Sequence, residues 1–414
     1  METKMKRLLL LSFAILLVPQ FARAELAESH RYFEMGVDVQ AGLSNNYLGL
    51  TDILVKDLVI DFQKMEREVP DDGLTFDYTA DADYHLSLDI NKYFRGKLFF
   101  GVDGSGYANI SHELFEILGK GVKVNESKSI GLSLYGDLFL DAGISYKTDI
   151  RGFGIRLEPA VYMPIIHVAD TSAKLKYTSN KAGLIRADAE IPVDIYTIVD
   201  LDGFKKDQVT MEYVTNAISE AIRNIGFDLF LEVEHKITRT FEMGGFTRIP
   251  IIPGKLDYVA STRYWAYAEQ SNFLGYLNDT QSFESDYGHD EFTYSKKTAK
   301  VHRPFIIGAE GAWRPFGPWC TFRPKMDMVI RNPYSPEWQI FGEYALSVDF
   351  RFIKVVGLHF ATRYENLVFS QVMGFSLNTR IVELDIKAAL RGGDFANSFD
   401  LTGAAVQLGL KFGF

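Results

Sequence analysis

Residue types that support hydrolytic chemistry are present in this sequence, but they are scattered along the chain. The eight histidines form no His-Glu-x-x-His zinc motif, and no Gly-x-Ser-x-Gly motif, phosphate loop or dinucleotide fingerprint occurs. His85 and Ser87 would share one strand face as a nucleophile–base pair, or simply as neighbouring polar groups of a lumen wall. His289 and Asp290 form a second pair within a loop segment. The sequence therefore predicts a protein that is not an enzyme and that has no cofactor or metal site.

Charge and cysteine content exclude further classes of protein. The formal net charge is −10 at pH 7, whereas nucleic-acid binding requires a basic footprint and attachment to anionic lipid requires a polybasic patch. Cys320 is the single cysteine, so the chain forms no internal disulfide and no cysteine-rich metal site.

The first 24 residues have the pattern of a secretory signal peptide. Lys4, Lys6 and Arg7 precede an apolar stretch at residues 8–18, and Ala-Arg-Ala ends at Ala24. A retained membrane helix is the alternative, but the apolar stretch is shorter than the roughly 17 residues needed to span a bilayer. We therefore expect export with cleavage near Ala24.

The elements that must position any functional side chain are predicted to be β-strands. Apolar residues alternate with polar or small residues over 404–414, and similar alternation occurs at 84–91, 227–234, 344–352 and 382–391. Transmembrane β-barrels are built from such strands of about 9–11 residues, with the apolar face outward. A soluble sandwich also alternates, with its charged face outward, so alternation alone leaves both folds open.

The end of the chain resembles the C-terminal assembly signal of bacterial outer-membrane proteins. That signal has a polar residue, a glycine and two aromatic residues at fixed spacing, matched here by Gln407, Gly409, Phe412 and Phe414. The resemblance implies recognition by the barrel assembly machinery. Together with the export signal, it favours an all-β fold in the cell outer membrane, a transmembrane antiparallel β-barrel of about 14 strands over residues 81–414.

Two segments depart from the strand pattern. Residues 25–80 are predicted to form an N-terminal plug, in which 51–68 has helical periodicity; a periplasmic extension is the alternative. Residues 210–225 are predicted to form a helical loop insertion that either binds a ligand or caps the barrel mouth. Long connections are also expected at 169–207 and 268–301. Apolar residues of the plug and the loop helix are the candidate ligand-binding residues: Tyr47, Leu48, Leu54, Leu58, Phe62, Val214 and Ile218.

This layout resembles the long-chain fatty-acid transporter (FadL-type) barrels, particularly their distant spirochaete members. The similar pieces are Leu-Ser-Asn-Asn-Tyr-Leu at residues 43–48 and the strand at residues 157–166. The resemblance implies passive uptake, in which a hydrophobic compound enters an apolar pocket beside the plug and leaves when the plug shifts. The Asn-Pro-Ala motif of the best-known members is absent, and residues 45–47 are its nearest equivalent here.

The predicted lumen face carries charges of both signs, which fits a water-filled pore or a paired network that closes the barrel. These residues are Asp349, Arg351, Arg363, Glu365, Glu383, Asp385, Lys387 and Arg391. Transport of hydrophobic compounds such as long-chain fatty acids is the leading functional hypothesis. The alternatives are a general or solute-selective porin and a surface adhesin or structural barrel. The expected partners are outer-membrane lipid, the assembly machinery and a hydrophobic small-molecule ligand.

Overall fold

The structure is a computed structural model of the chain. It describes residues 31–49, 62–91, 94–120, 127–179, 185–202, 215, 219–270, 283–335, 338–352, 355–365, 368–399 and 402–414. The predicted signal peptide and most of the predicted helix at 51–68 lie outside these residues. Among the described residues, no helix combines the length and apolarity needed to cross a membrane.

Strands dominate the described chain. They are β1 (Phe33–Asn45), β2 (Leu74–Asn91), β3 (Phe94–Ile110), β4 (Ser127–Ile150), β5 (Phe153–Ser179), β6 (Ile185–Thr197), β7 (Gly226–Lys236), β8 (Phe241–Ile252), β9 (Gly254–Gln270), β10 (Phe283–His289), β11 (Thr293–Val301), β12 (Phe305–Trp313), β13 (Cys320–Arg331), β14 (Gln339–Phe352), β15 (Val356–Glu365), β16 (Val368–Asn378), β17 (Val382–Gly392) and β18 (Gly403–Gly413). Two helices, α1 (Phe62–Glu68) and α2 (His112–Lys120), and a 3₁₀ turn at Asn397–Phe399 complete the elements with defined bounds.

Fourteen of these strands close into an antiparallel barrel. The wall runs through β1 to β5, then β7, β8 and β12 to β18, and β18 pairs back with β1. The prediction of about 14 strands is therefore confirmed. Short connections join β2 to β3, β4 to β5 and β16 to β17 at one end, which we call the turn end; the opposite end is the loop end.

The other four strands extend the wall at the loop end. β5 pairs with β7 over residues 153–162 and with β6 from residue 166 onward, and β6 pairs in turn with β9. Three prolines mark this partner switch: Pro164 within β5, Pro253 between β8 and β9, and Pro304 between β11 and β12. A proline has no N–H to donate, so it interrupts a strand ladder and allows the partner to change.

The two faces of the wall are the reverse of those in a soluble protein. β2 shows this clearly, since its exposed side chains include Phe76, Tyr78, Tyr84, Leu88 and Ile90. The intervening side chains point inward and are polar: Asp77, Thr79, Asp81, Asp83 and His85. An apolar exterior around a charged interior is the arrangement of a transmembrane barrel.

Exposed aromatic residues lie at both ends of the apolar exterior. Those toward the turn end include Phe94, Tyr146, Phe153, Trp313 and Phe412, and those toward the loop end include Phe76, Tyr78, Trp338 and Phe399. Aromatic girdles of this kind mark the two water–lipid boundaries of membrane barrels. The structure thus defines the chain as a 14-stranded membrane-type β-barrel.

The predicted plug boundaries are wrong. Residues 33–45 form β1, which closes the barrel between β2 and β18, and residues 74–80 already belong to β2. Glycines at two inward positions, Gly36 and Gly42, weaken the apolar–polar contrast of β1, although its outward residues alternate like those of other strands. The expected long connections at 169–207 and 268–301 are also largely strand, because β5, β6, β10 and β11 cover most of them.

Candidate binding site inside the barrel

An apolar cluster lies on the inner side of the wall at the partner switch. Phe139 is the cross-strand partner of Asp103, and Tyr162 is the partner of Asp141, so both rings share the charged, lumen-facing side. The buried members of this cluster are Phe139, Tyr162, Tyr196, Ile198, Ala221, Leu256, Val259 and Val301. It is an apolar patch on an inner surface that also carries many charged side chains.

The cluster is built from strands that meet because of the partner switch. Phe139 and Tyr162 pack edge to face, with ring centroids 5.7 Å apart and planes at 86°. Leu256 of β9 is completely buried, and Val301 ends β11 just before the switch. Aromatic and aliphatic side chains in this arrangement form a compact apolar surface with defined geometry.

The segment after β6 covers this cluster. Ile198 and Ala221 are the buried cluster residues that come from this segment. The described residues 215 and 219–223 are helical. Ala221 lies within the predicted loop helix at 210–225, whereas residues 210–214 and 216–218 of that helix fall outside the described part. Ala221 is therefore in contact with the inner wall, whereas Ile222 and Ile225 are exposed.

A charged network borders the apolar cluster. Arg303, which follows β11 and is almost fully buried, lies 2.6 Å from Asp141, 3.1 Å from Asp103 and 3.4 Å from Asp228. Three strands, β3, β4 and β7, and the connection after β11 are thereby joined through one guanidinium group. Removing a cation from water costs free energy, and several carboxylate partners together offset that cost where a single partner would not.

The turn end of the lumen contains the larger of two charged cavities. Its volume is about 680 Å³, and its wall includes Glu34, Asp38, Arg323, Asp349, His359, Glu383, Asp385, Lys387 and Lys411. A second cavity of about 330 Å³ lies beside Glu310, Arg363 and Glu365. Many of these charges are paired: His359 lies 2.6 Å from Asp349, and Lys411 lies 3.6 Å from Glu383. The mixed signs expected for the lumen are present.

The predicted ligand-binding residues do not converge on the apolar cluster. Tyr47 packs at the loop end against a separate apolar cluster. The buried members of that cluster are Met65 of α1, Val69 just after α1, Leu74 of β2 and Phe115 of α2. Leu48 is half-buried beside Asn45 and its carbonyl accepts that side chain's amide, while Phe62 begins α1. Leu54, Leu58, Val214 and Ile218 lie outside the described residues.

Sequence reasoning missed the inner apolar residues for an identifiable reason. Phe139 stands between Leu138 and Leu140, so no apolar–polar contrast reveals that it faces inward. The three prolines at the partner switch were the feature of the sequence that could have located it. His85 contacts the carboxylates of Asp83 and Glu34 at 3.3 and 3.4 Å rather than Ser87. This agrees with the hypothesis of neighbouring polar groups on the lumen wall and not with a nucleophile–base pair.

The four residues of the C-terminal pattern all belong to or follow β18. Gln407 and Gly409 lie on the inner face, and Phe412 and Phe414 are exposed on the outer face at the turn end. The ring of Phe414 also packs on that of Phe33 at 5.7 Å, where β18 meets β1. Their recognition by an assembly machinery stays a prediction.

Comparisons with known proteins return structural likeness only. The sequence matches no protein-family model and no curated protein. The P. putida toluene transporter TodX is similar with a TM-score of 0.40 and 9% identity, over 92% of this chain and 89% of that chain. A Pseudomonas aeruginosa FadL homologue gives 0.46 and 8%, over 93% and 90%. The translocator domain of the autotransporter NalP from Neisseria meningitidis gives 0.34 and 7%, over 94% and 91%.

Proposed function

We propose that this protein is an outer-membrane channel for the passive transport of hydrophobic compounds, with long-chain fatty acids as the first class to test. The observation that carries the proposal is the apolar cluster on the inner wall, surrounded by charged side chains. A hydrophobic compound gains free energy by leaving water for such a surface. Since long loops of these barrels face the exterior and short turns face the periplasm, the loop end is the side of entry.

The segment around Ala221 controls access in this proposal. Ile198 and Ala221 pack against the wall residues of the cluster, and in this proposal the ligand displaces that contact. Ala221 has a small side chain, and it contributes little of the buried apolar area compared with Phe139 or Leu256. Displacement exposes apolar side chains of the wall, and the apolar area that the bound compound covers again offsets that cost, which suits reversible binding of an apolar chain.

The test is binding of a fluorescent long-chain fatty acid to the detergent-refolded protein. Because β1 is a wall strand, point substitutions are preferred to deletion of the N-terminal segment. We expect saturable binding that Phe139→Ala weakens on the order of tenfold, equivalent to about 1.4 kcal/mol. The matched control is Leu140→Ala, which removes a neighbouring side chain from the outer face. No saturable binding, or equal losses in both variants, would contradict the proposal.

The turn-end cavity favours a second candidate, a porin for polar solutes. Its volume of about 680 Å³ and its charged lining suit water and small polar molecules rather than lipid. Conductance across planar bilayers and swelling of liposomes in sugar solutions separate the two functions. Open, ohmic conductance with rapid sugar entry and no fatty-acid binding would support the porin.

A further inference from the structure

We propose that the inner wall near the turn end holds a binding site for a divalent transition-metal cation of the zinc class, formed by Asp38, Asp83 and His85. One ligand atom from each of these side chains lies within 4.8 Å of the others. Two carboxylate oxygens and one imidazole nitrogen are ligands that such cations accept, with water completing the coordination. The site is independent of the proposed transport function.

The strand register places like charges face to face at this position. Asp38 of β1 is the direct cross-strand partner of Asp83 of β2. Two carboxylates directly opposite each other destabilise a sheet unless a cation lies between them. A metal ion at this point therefore converts a repulsive pair into a stabilising one.

Glycines flank this pair in the sheet, and two nearby glycines make room for its ligand side chains. The same row across the sheet reads Gly409 in β18, Asp38, Asp83 and then Gly101 in β3. A Cβ atom at Gly409 would lie 2.4 Å from an Asp38 carboxylate oxygen, so any other residue there would displace that oxygen. Gly36 similarly admits the His85 ring, whose Cε1 lies 2.4 Å from the position a Cβ would take.

The protein's own cations neutralise this cluster only in part. Lys97 approaches Asp83 at 3.5 Å, and Arg31 and His85 both contact Glu34 nearby. Within the described part of the chain, the Asp38 side chain forms no hydrogen bond and no ion pair within 4 Å, and Lys387 and Lys411 interact with it only at longer range. It borders the 680 Å³ cavity, which provides a route for a hydrated ion from the turn end. Lys97 is half-exposed and free to swing aside when a metal binds.

The test uses Zn²⁺ and Co²⁺ alone, added to the refolded, chelator-treated, full-length mature protein without a histidine tag. We expect one Zn²⁺ to bind in competition with a chromophoric chelator, and Co²⁺ to give a visible absorption band from imidazole coordination. Asp38→Asn and His85→Gln should each weaken binding at least about tenfold. The matched control is Glu310→Gln, which removes one lumen charge beside the second cavity.

The outcomes separate a built site from general attraction to an acidic lumen. Tight binding that is lost in Asp38→Asn and kept in Glu310→Gln supports the proposal. Weak, unsaturable binding, or equal losses in Asp38→Asn and Glu310→Gln, overturns it. Asp38→Asn is the decisive variant if His85→Gln fails to refold, because the side chain of Asp38 forms no hydrogen bond or close ion pair that the amide would break.

Discussion

The hydroxyl group of Tyr162 lies 3.2 Å from the main-chain carbonyl oxygen of Val301, which is 139 positions further along the chain. The same hydroxyl lies 2.9 Å from the carbonyl oxygen of Ile252 and 3.3 Å from the amide nitrogen of Gly254. It therefore satisfies main-chain groups left without ladder partners where the strands separate around the prolines. One buried side chain of β5 thus contacts the ends of β8, β9 and β11.

Replacement of Tyr162 by phenylalanine should lower the free energy of unfolding by about 1–3 kcal/mol, because buried carbonyl groups lose their donor. Urea unfolding in detergent or lipid vesicles measures the change. Tyr84→Phe is the control, since Tyr84 points outward and is exposed. Equal stability of Tyr162→Phe and the unmodified protein would show that the hydroxyl does not hold the junction.

Replacement of Arg303 by methionine should cost about 3–5 kcal/mol, because Asp141 and Asp228 would remain buried without their cation. The midpoint of denaturant unfolding reports this loss. Arg363→Met removes a lumen arginine for which the described residues supply no ion-pair partner, and it should change stability much less. Similar midpoints for both variants would argue against the network as a structural support.

The pKa of Glu113 is held below its ordinary value, chiefly by a hydrogen bond from the Ser111 hydroxyl at the start of α2. A carboxyl group with a lowered pKa stabilises the fold above its ordinary pKa of 4.5, and that contribution is lost as the pH falls through the lowered value. Ser111→Ala should raise the pKa of Glu113 toward 4.5, as measured by carboxyl-carbon NMR titration. An unchanged titration would show that another group sets the shift.

Leu408 and Gln407 are adjacent residues of β18 that face opposite sides of the wall. Leu408→Arg should destabilise the inserted barrel by about 2–4 kcal/mol if it lies near the bilayer midplane, because a charge then faces hydrocarbon. Gln407→Arg should insert normally, since its side chain faces the polar lumen. Folding yield in lipid vesicles, read from heat-modifiable gel mobility, compares the two. Similar yields would contradict the assignment of the faces.

The barrel itself was predictable from the sequence because its signal is local. Alternation over 404–414 and the other predicted strands is confirmed, and the length of the alternating region, at a typical length per strand and connection, sufficed for the strand count. β1 carried the same signal in Met35, Val37, Val39, Ala41 and Leu43, all exposed, but the glycines on its inner face concealed it. The error in the plug boundary was therefore one of interpretation.

The partner switch and the inner clusters were not predictable from local pattern. Contacts such as Arg303 to Asp103, or Asp38 opposite Asp83, depend on how the closed barrel sets the strand register. A one-residue shift in register would exchange the two faces of a strand, and alternation does not fix which strands are neighbours. Prolines indicated where ladders break, but not which strands pair beyond the break.

The most direct test of the account is a nitroxide scan along β18 in lipid vesicles, because transport through a membrane barrel requires the apolar face to meet lipid. Single cysteines at residues 404–413 are labelled in a Cys320→Ser background, and relaxation by oxygen is compared with relaxation by a water-soluble nickel complex. We predict greater oxygen contact at residues 406, 408 and 410 and greater nickel contact at 405, 407 and 411. The opposite phase, or nickel access on both faces, would contradict the membrane barrel and the transport function built on it.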